Sequence, residues 1–160
     1  MAYRVGIGFD IHRLVEDRTL VLAGVRVPFE KGLLGHSDGD VVVHALCDAI
    51  LGALARDDIG SRYPDTAEFT RGMNSMLMLE EIAKELGPTH EIINMDINCI
   101  CEKPRLSPFR DAMVNSLARA CRIEPERISV KFRTHEGLGP IGSSEAIAAQ
   151  AVVLLRELDS

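Results

Sequence analysis

Residues 40–55, DVVVHALCDAILGALA, carry apolar side chains at helical spacing with few polar interruptions. A helix of that composition has to be buried against another layer, which restricts the fold more than any other stretch of the chain. The spacing predicts a helix over about residues 38–56, with Ser37 or Asp38 as N-cap and Gly60 beyond its end. The layer it needs comes from alternating runs. YRVGIGFDIHRL (3–14), HEIINMDINCICEKP (90–104) and RISVKFRTHEG (127–137) read as strands, and TLVLAGVRVPF (19–29) reads as an edge hairpin hinged at Ala23-Gly24. Two further helices are expected: one over NSMLMLEEIAKELG, capped by Asn74 or Ser75 and closed by Gly87, and one opened by Ser107-Pro108 and running to Cys121. EKGLLGHSDGD (30–40), the turn-rich 57–72 segment and GLGPIGSS (137–144) read as loops, and the tail EAIAAQAVVLLREL fits either helix or strand. Strands and helices intermix without regular βαβ spacing, so the expected class is α+β, a mixed sheet with helices packed on one face, in a single domain over residues 1–160.

The net charge of −6 and the lack of any long basic run argue against a nucleic-acid surface, although a small anion could still bind beside a metal or a helix end. No run approaches the ~20 apolar residues of a membrane span, and the N-terminus does not read as a signal peptide, so a cytoplasmic protein is expected. Cys47, Cys99, Cys101 and Cys121 form no CxxC pair and read as reduced core residues, with a soft-metal pair at Cys99 and Cys101 as the alternative.

Three groupings could carry chemistry. On a strand, alternation sends Asp10 and His12 to one side, two legs of a metal site, and His44 on the apolar helix is the best third donor. Asp48, at i+4 from His44, could orient its ring. A lone histidine on such a helix is equally what a hydrogen-bonded core residue looks like. GHSDGD, before the helix, offers His36, Ser37 and helix-start amides to a phosphate, or is a plain capping loop. RTHEG gathers Arg133, Thr134, His135 and Glu136 at a strand end; Glu136 suits a hard cation such as Mg²⁺, or the segment is a solvated turn. Together these suggest phosphate or diphosphate chemistry.

The order GIGFDIHRL, KGLLGHSDGDVVVHALCDAILGAL, DIGSRYPDT, EKPRLSP and KFRTHEGLG resembles the 2-C-methyl-D-erythritol 2,4-cyclodiphosphate synthases of the non-mevalonate isoprenoid pathway, over about residues 3–155. The resemblance implies a homotrimer with active sites between subunits, and a strand for the ambiguous tail. It implies Zn²⁺ on Asp10, His12 and His44, Mg²⁺ or Mn²⁺ on Glu136, and phosphate contacts by the transition-state-stabilising His36 and Thr134, joined by Ser37. Asp58, Ile59 and Gly60 fall at the ribose region, Tyr63, Pro64 and Asp65 at the methylerythritol region, and Cys101, Glu102, Lys103, Pro104, Arg105, Leu106 and Ser107 at the cytosine region, with Arg133 and His135 beside the hard-metal carboxylate.

The implied reaction closes 4-diphosphocytidyl-2-C-methyl-D-erythritol 2-phosphate into a cyclic diphosphate and releases CMP. Two departures stand out: Arg133-Thr134 replaces the family's Thr-Thr, and Pro140-Ile141-Gly142-Ser143 replaces a Phe-x-Gly-Arg element that ends in a cation. Arg133 is expected to supply a phosphate cation of its own. A zinc-dependent phosphodiesterase and a non-enzymatic nucleotide-binding trimer remain alternatives, distinguished by a linear product and by CDP binding without turnover.

Overall fold

The structure, a computed structural model, describes residues 2–159. Strand β1 (Tyr3–Glu16) is followed by the short strands β2 (Leu20–Leu22), β3 (Val25–Val27) and β4 (Lys31–Leu33). Helices α1 (Val41–Ala53), α2 (Ile59–Arg62) and α3 (Ser75–Lys84) precede β5 (His90–Ile100), and α4 (Arg110–Cys121) links it to β6 (Ile128–Arg133). The one-turn helix α5 (Gly139–Gly142) leads into β7 (Ala146–Glu157). Five strands form one mixed sheet in the order β4-β1-β7-β5-β6, antiparallel except for the β5-β6 pair. That parallel pair needs a crossover, which α4 provides.

The tail strand β7 sits at the centre of the sheet, between β1 and β5. In β5 the ladder slips between Ile92 and Asn94, which keeps Ile92, Met95, Ile97 and Cys99 all on the inner, helix-covered face. Every residue of α1 except Asp48 and Gly52 is buried, because the helix lies on β1 and β7 and against α3. Five details differ from the sequence expectations. Ser107-Pro108 begins a single 3₁₀ turn, Ser107–Phe109, and α4 starts after it at Arg110. The β2-β3 hairpin forms its own two-stranded sheet and is not an edge of the main one. Lys31–Leu33, expected as loop, pairs with β1. Single helical turns occupy parts of 57–72 and 137–144. The N-cap of α1 is Asp40, not Ser37 or Asp38: its buried carboxylate accepts the Val43 amide at 3.2 Å and also those of Ala23 and Gly24 at the hairpin turn, at 2.9 and 2.7 Å. Burial raises the Asp40 pKa to about 6.

Among the described residues no helix is long and apolar enough to cross a membrane. All four cysteines are buried and free, with their thiols pushed up by burial, Cys101 and Cys121 to about 12.

Candidate metal centre and substrate cleft

Gly6 and Gly8 face α1, with Ala45, Ala49 and Ala53 on the helix opposite them. A Cβ at Gly6 would stand 1.8 Å from the Ala49 carbonyl oxygen, and one at Gly8 1.9 Å from that of Ala45. Glycine on the strand and alanine on the helix thus let the two backbones touch. Because α1 rides this close, His44 reaches the inner face of β1, where Asp10 and His12 project. The closest pairs are His44 Nδ1 to Asp10 Oδ2 at 2.9 Å and His12 Nε2 to Asp10 Oδ2 at 3.0 Å, and ligand atoms of all three lie within 4.8 Å of one another. It is the one such group of three or more among the described residues, and Cys99 and Cys101 are not part of it. Cys101 Sγ–H instead donates to the Lys103 carbonyl at 3.0 Å.

The other nitrogen of each ring is already engaged. His12 Nδ1 bonds the Leu34 carbonyl, which can only accept, so Nε2 is left as the free nitrogen. His44 Nε2 lies 2.9 Å from Ser75 Oγ and 3.2 Å from Ser37 Oγ, leaving Nδ1 toward Asp10. Two imidazole nitrogens and a carboxylate oxygen therefore converge, and lone pairs so close need a cation between them, a proton or a divalent metal. Burial opposes ionisation of Asp10, but hydrogen bonds from His12 and His44 outweigh it and hold the carboxyl well below the usual range. The hydrogen bond to Asp10 in turn raises the pKa of His12. Both shifts describe a site that attracts positive charge. The donor set fits a metal such as zinc with one coordination position left open.

The triad lies in a cleft of about 350 Å³ that Leu34, Gly35, His36, Ser37, Ile59, Gly60, Tyr63, Asp65, Thr70 and Met78 also line. His36 Nε2 is buried in the cleft wall with no hydrogen-bond partner. Asp58 caps α2, its Oδ1 accepting the Ser61 amide at 3.0 Å, and the Pro64 carbonyl accepts from Thr70 Oγ1 at 3.1 Å. Tyr63 Oη donates to Glu81 Oε2 at 2.6 Å, which ties the 57–72 segment to α3. Asp48 does not orient His44. Its Oδ1 accepts the Ile59 amide at 2.8 Å, because the start of α2 packs over that part of α1, and the hydroxyls on the His44 ring belong to Ser75 and Ser37.

The remaining predicted residues form a second cluster. The Cys101 amide donates to the Arg133 carbonyl at 2.8 Å, and the His135 amide to Glu102 Oε2 at 3.0 Å, so segment 101–107 and segment 133–136 lie side by side. Thr134 Oγ1 donates to Glu136 Oε1 at 2.9 Å, and the side chains of Arg133 to Glu136 are exposed. This cluster contributes nothing to the cleft wall within one chain. Asp10 pairs with Ala149, Ala149 with Cys99 and Cys99 with Phe132, a row across three strand spacings, or roughly 14 Å at about 4.8 Å each. The Leu34 carbonyl, Thr70 and the Ser75 hydroxyl were not anticipated as site groups. Ser75 had only a capping signature, and nothing local marks a backbone carbonyl as a ring partner.

A mixed-sheet α+β domain with a histidine-carboxylate metal centre at a cleft, and a second polar cluster across the sheet, is the class that this geometry defines. The chain belongs to the YgbB family, whose model matches residues 3–156. It is 50% identical over 153 residues, 95% of this chain and 98% of the relative, to the 2-C-methyl-D-erythritol 2,4-cyclodiphosphate synthase of Trichlorobacter lovleyi. Against the enzyme of the same name from Caldicellulosiruptor bescii the identity is 47% over 156 residues, 97% of this chain and 99% of that one. Among solved structures, the bifunctional IspDF from Campylobacter jejuni superposes with a TM-score of 0.94 at 41% identity over 99% of this chain, which spans 43% of that larger protein. IspF of Plasmodium falciparum, solved as a CDP complex, gives 0.87 at 36% identity, covering 99% of this chain and 98% of that one.

Proposed function

We propose that the chain, acting as one domain over residues 1–160, converts 4-diphosphocytidyl-2-C-methyl-D-erythritol 2-phosphate to 2-C-methyl-D-erythritol 2,4-cyclodiphosphate and CMP in non-mevalonate isoprenoid biosynthesis. The observation that carries the reading is the convergence of Asp10, His12 and His44 at the wall of a cleft, in a chain of this family. The substrate brings its own nucleophile. An oxygen of the 2-phosphate, already anionic at neutral pH, forms a bond to the β-phosphorus, and the bond from that phosphorus to the bridging oxygen breaks, leaving that oxygen on CMP. No protein general base is needed, and no nucleophile-base pair is required of the cleft.

Asp10, His12 and His44 would hold Zn²⁺ and Glu136 would hold Mg²⁺ or Mn²⁺; when bound, these cations polarise phosphoryl oxygens and offset the charge of the diphosphate. The protein's own part is to bend a flexible chain into ring-closing geometry and to place donors on its phosphates. His36 is suited to that, since its buried Nε2 has no other partner. Ser37 also lies at the cleft, and Thr134 and Arg133 present a hydroxyl and a guanidinium from the second cluster. Asp58, Ile59 and Gly60 are assigned to the ribose, Tyr63, Pro64 and Asp65 to the methylerythritol, and 101–107 to the cytosine, with His135 beside them.

The separation of the two clusters supports assembly as a homotrimer, in which the Asp10 half of one copy meets the Glu136 half of another. Tyr3, Val5, Ile7, Phe9 and Ile11 form an exposed apolar stripe on the sheet face opposite the helices, between 46 and 68% accessible, and such a stripe is suited to burial against other copies. We assign the enzyme to the cytoplasm, in keeping with four free thiols. Phosphorus NMR of protein, substrate and Mg²⁺ tests the function: a cyclic diphosphate and CMP should appear together, while a linear product would make the protein a phosphodiesterase and no product would make it a binding protein.

A further inference from the structure

We infer that Asp38 and Ser75 are positioning residues that give the Nε2 proton of metal-ligating His44 an acceptor and thereby set the affinity of the metal centre, an inference that rests on reading Asp10, His12 and His44 as metal ligands. Asp38 grips Ser75 with both carboxylate oxygens: Oδ2 accepts the Ser75 amide at 3.0 Å and Oδ1 bonds the Ser75 hydroxyl. A carboxylate only accepts, so the hydroxyl proton of Ser75 points to Asp38. What Ser75 Oγ then offers His44 Nε2, 2.9 Å away, is a lone pair, and Nε2 must carry a proton to use it. With Nε2 protonated, the neutral imidazole has its Nδ1 lone pair available for a metal, which takes the place of the proton between Nδ1 and Asp10 Oδ2, 2.9 Å apart.

Ser37 lies on the same side of the ring, with its Oγ 3.4 Å from that of Ser75. Its Oγ accepts the Gly39 amide at 3.3 Å and lies farther from His44 Nε2 than Ser75 does, at 3.2 Å. Ser75 is fully buried, so water does not compete for the contact. Three separate segments are thereby joined at one ring: the 35–40 loop, the first residue of α3 and the first turn of α1. The same loop is fastened by the Asp38 amide to the Met73 carbonyl at 3.1 Å and by the Gly72 amide to the His36 carbonyl at 2.8 Å, which keeps Asp38 in place beneath Ser75.

Asp38→Asn is the informative variant because it keeps an acceptor for the Ser75 amide while its side-chain NH₂ donates to Ser75 Oγ, losing only the Asp40 amide that Oδ1 accepts at 3.2 Å. The Ser75 proton is then free to donate to His44 Nε2, which reverses the relay. Long-range proton-nitrogen correlation spectra of the Zn²⁺-loaded protein should show the His44 Nε2 proton slow to exchange with water in the wild type and faster to exchange in Asp38→Asn and Ser75→Ala. Zn²⁺ affinity, measured by competition with a chelating indicator, should fall about 10–100-fold in Asp38→Asn and in Ser75→Ala. Folded variants with unchanged Nε2–H exchange and unchanged affinity overturn the inference. If the wild type binds no Zn²⁺, the metal reading itself fails, which is distinct from a wild type that binds Zn²⁺ no more tightly than its variants. If Asp38→Asn does not fold, Ser75→Ala decides by the same two readouts.

Discussion

Gly8 and Ala45 meet backbone to backbone: a Cβ on Gly8 would lie 1.9 Å from the Ala45 carbonyl oxygen. Gly8 is two residues before Asp10, and Ala45 is next to His44, so this contact sets the distance between the strand ligands and the helix ligand. Gly8→Ala should push α1 off the sheet, lower stability by about 1–3 kcal/mol and weaken metal binding at the same time. Denaturant unfolding and metal titration of the variant measure the two effects. Full stability with full metal affinity would show that the close approach is dispensable.

His44→Ala removes a nitrogen ligand that no neighbouring group can replace. Metal content and cyclase activity should fall together, with activity reduced at least 100-fold. Activity that survives in metal-free protein would remove the triad from the reaction.

Metal affinity should depend on pH through His12. Its hydrogen bond to Asp10 raises its pKa, so in the metal-free protein it keeps a proton to higher pH than an ordinary histidine. Proton and metal compete for the same Nε2. The affinity should therefore drop about tenfold for each pH unit below the raised pKa and level off above it. Calorimetric titrations at several pH values, in buffers of different ionisation heat, give both the slope and the proton released. An affinity independent of pH between about 5 and 8 would contradict the competition.

Much of this arrangement was legible in the sequence because it depends on periodicity. Alternation placed Asp10 and His12 on one side of β1, and helical spacing brought His44 to the buried face of α1. The tail Ala146–Glu157 was not legible, because alanines buried on both faces of a central strand lose the alternation that marks a half-exposed one. Its assignment as a strand came from resemblance. Asp48 shares the His44 side of α1 but accepts the Ile59 amide instead of the ring, because i+4 spacing says which helix face a residue is on, but not which neighbouring element occupies that face. Ser75 and Asp38 are 37 positions apart, and their pairing depends on how α3 docks, which no local pattern records.

Arg133, where the family pattern has threonine, is exposed beside Thr134 and Glu136, and its side chain is expected to face a substrate phosphate. Arg133→Ala should raise the substrate Kd about tenfold, or ~1.4 kcal/mol, with a weaker dependence of binding on salt. An unchanged Kd would leave Arg133 without a part in binding.

Subunit mixing tests most directly whether the site is assembled from two copies. His44→Ala damages the Asp10 half and Glu136→Gln the other half, so each variant alone should be nearly inactive. In mixed trimers, an intact metal half from a Glu136→Gln subunit meets an intact Glu136 half from a His44→Ala subunit, and random pairing should restore roughly a quarter of wild-type cyclase activity. Mixed assemblies that form and yet stay as inactive as their parents would place the whole site within one chain and contradict the proposal.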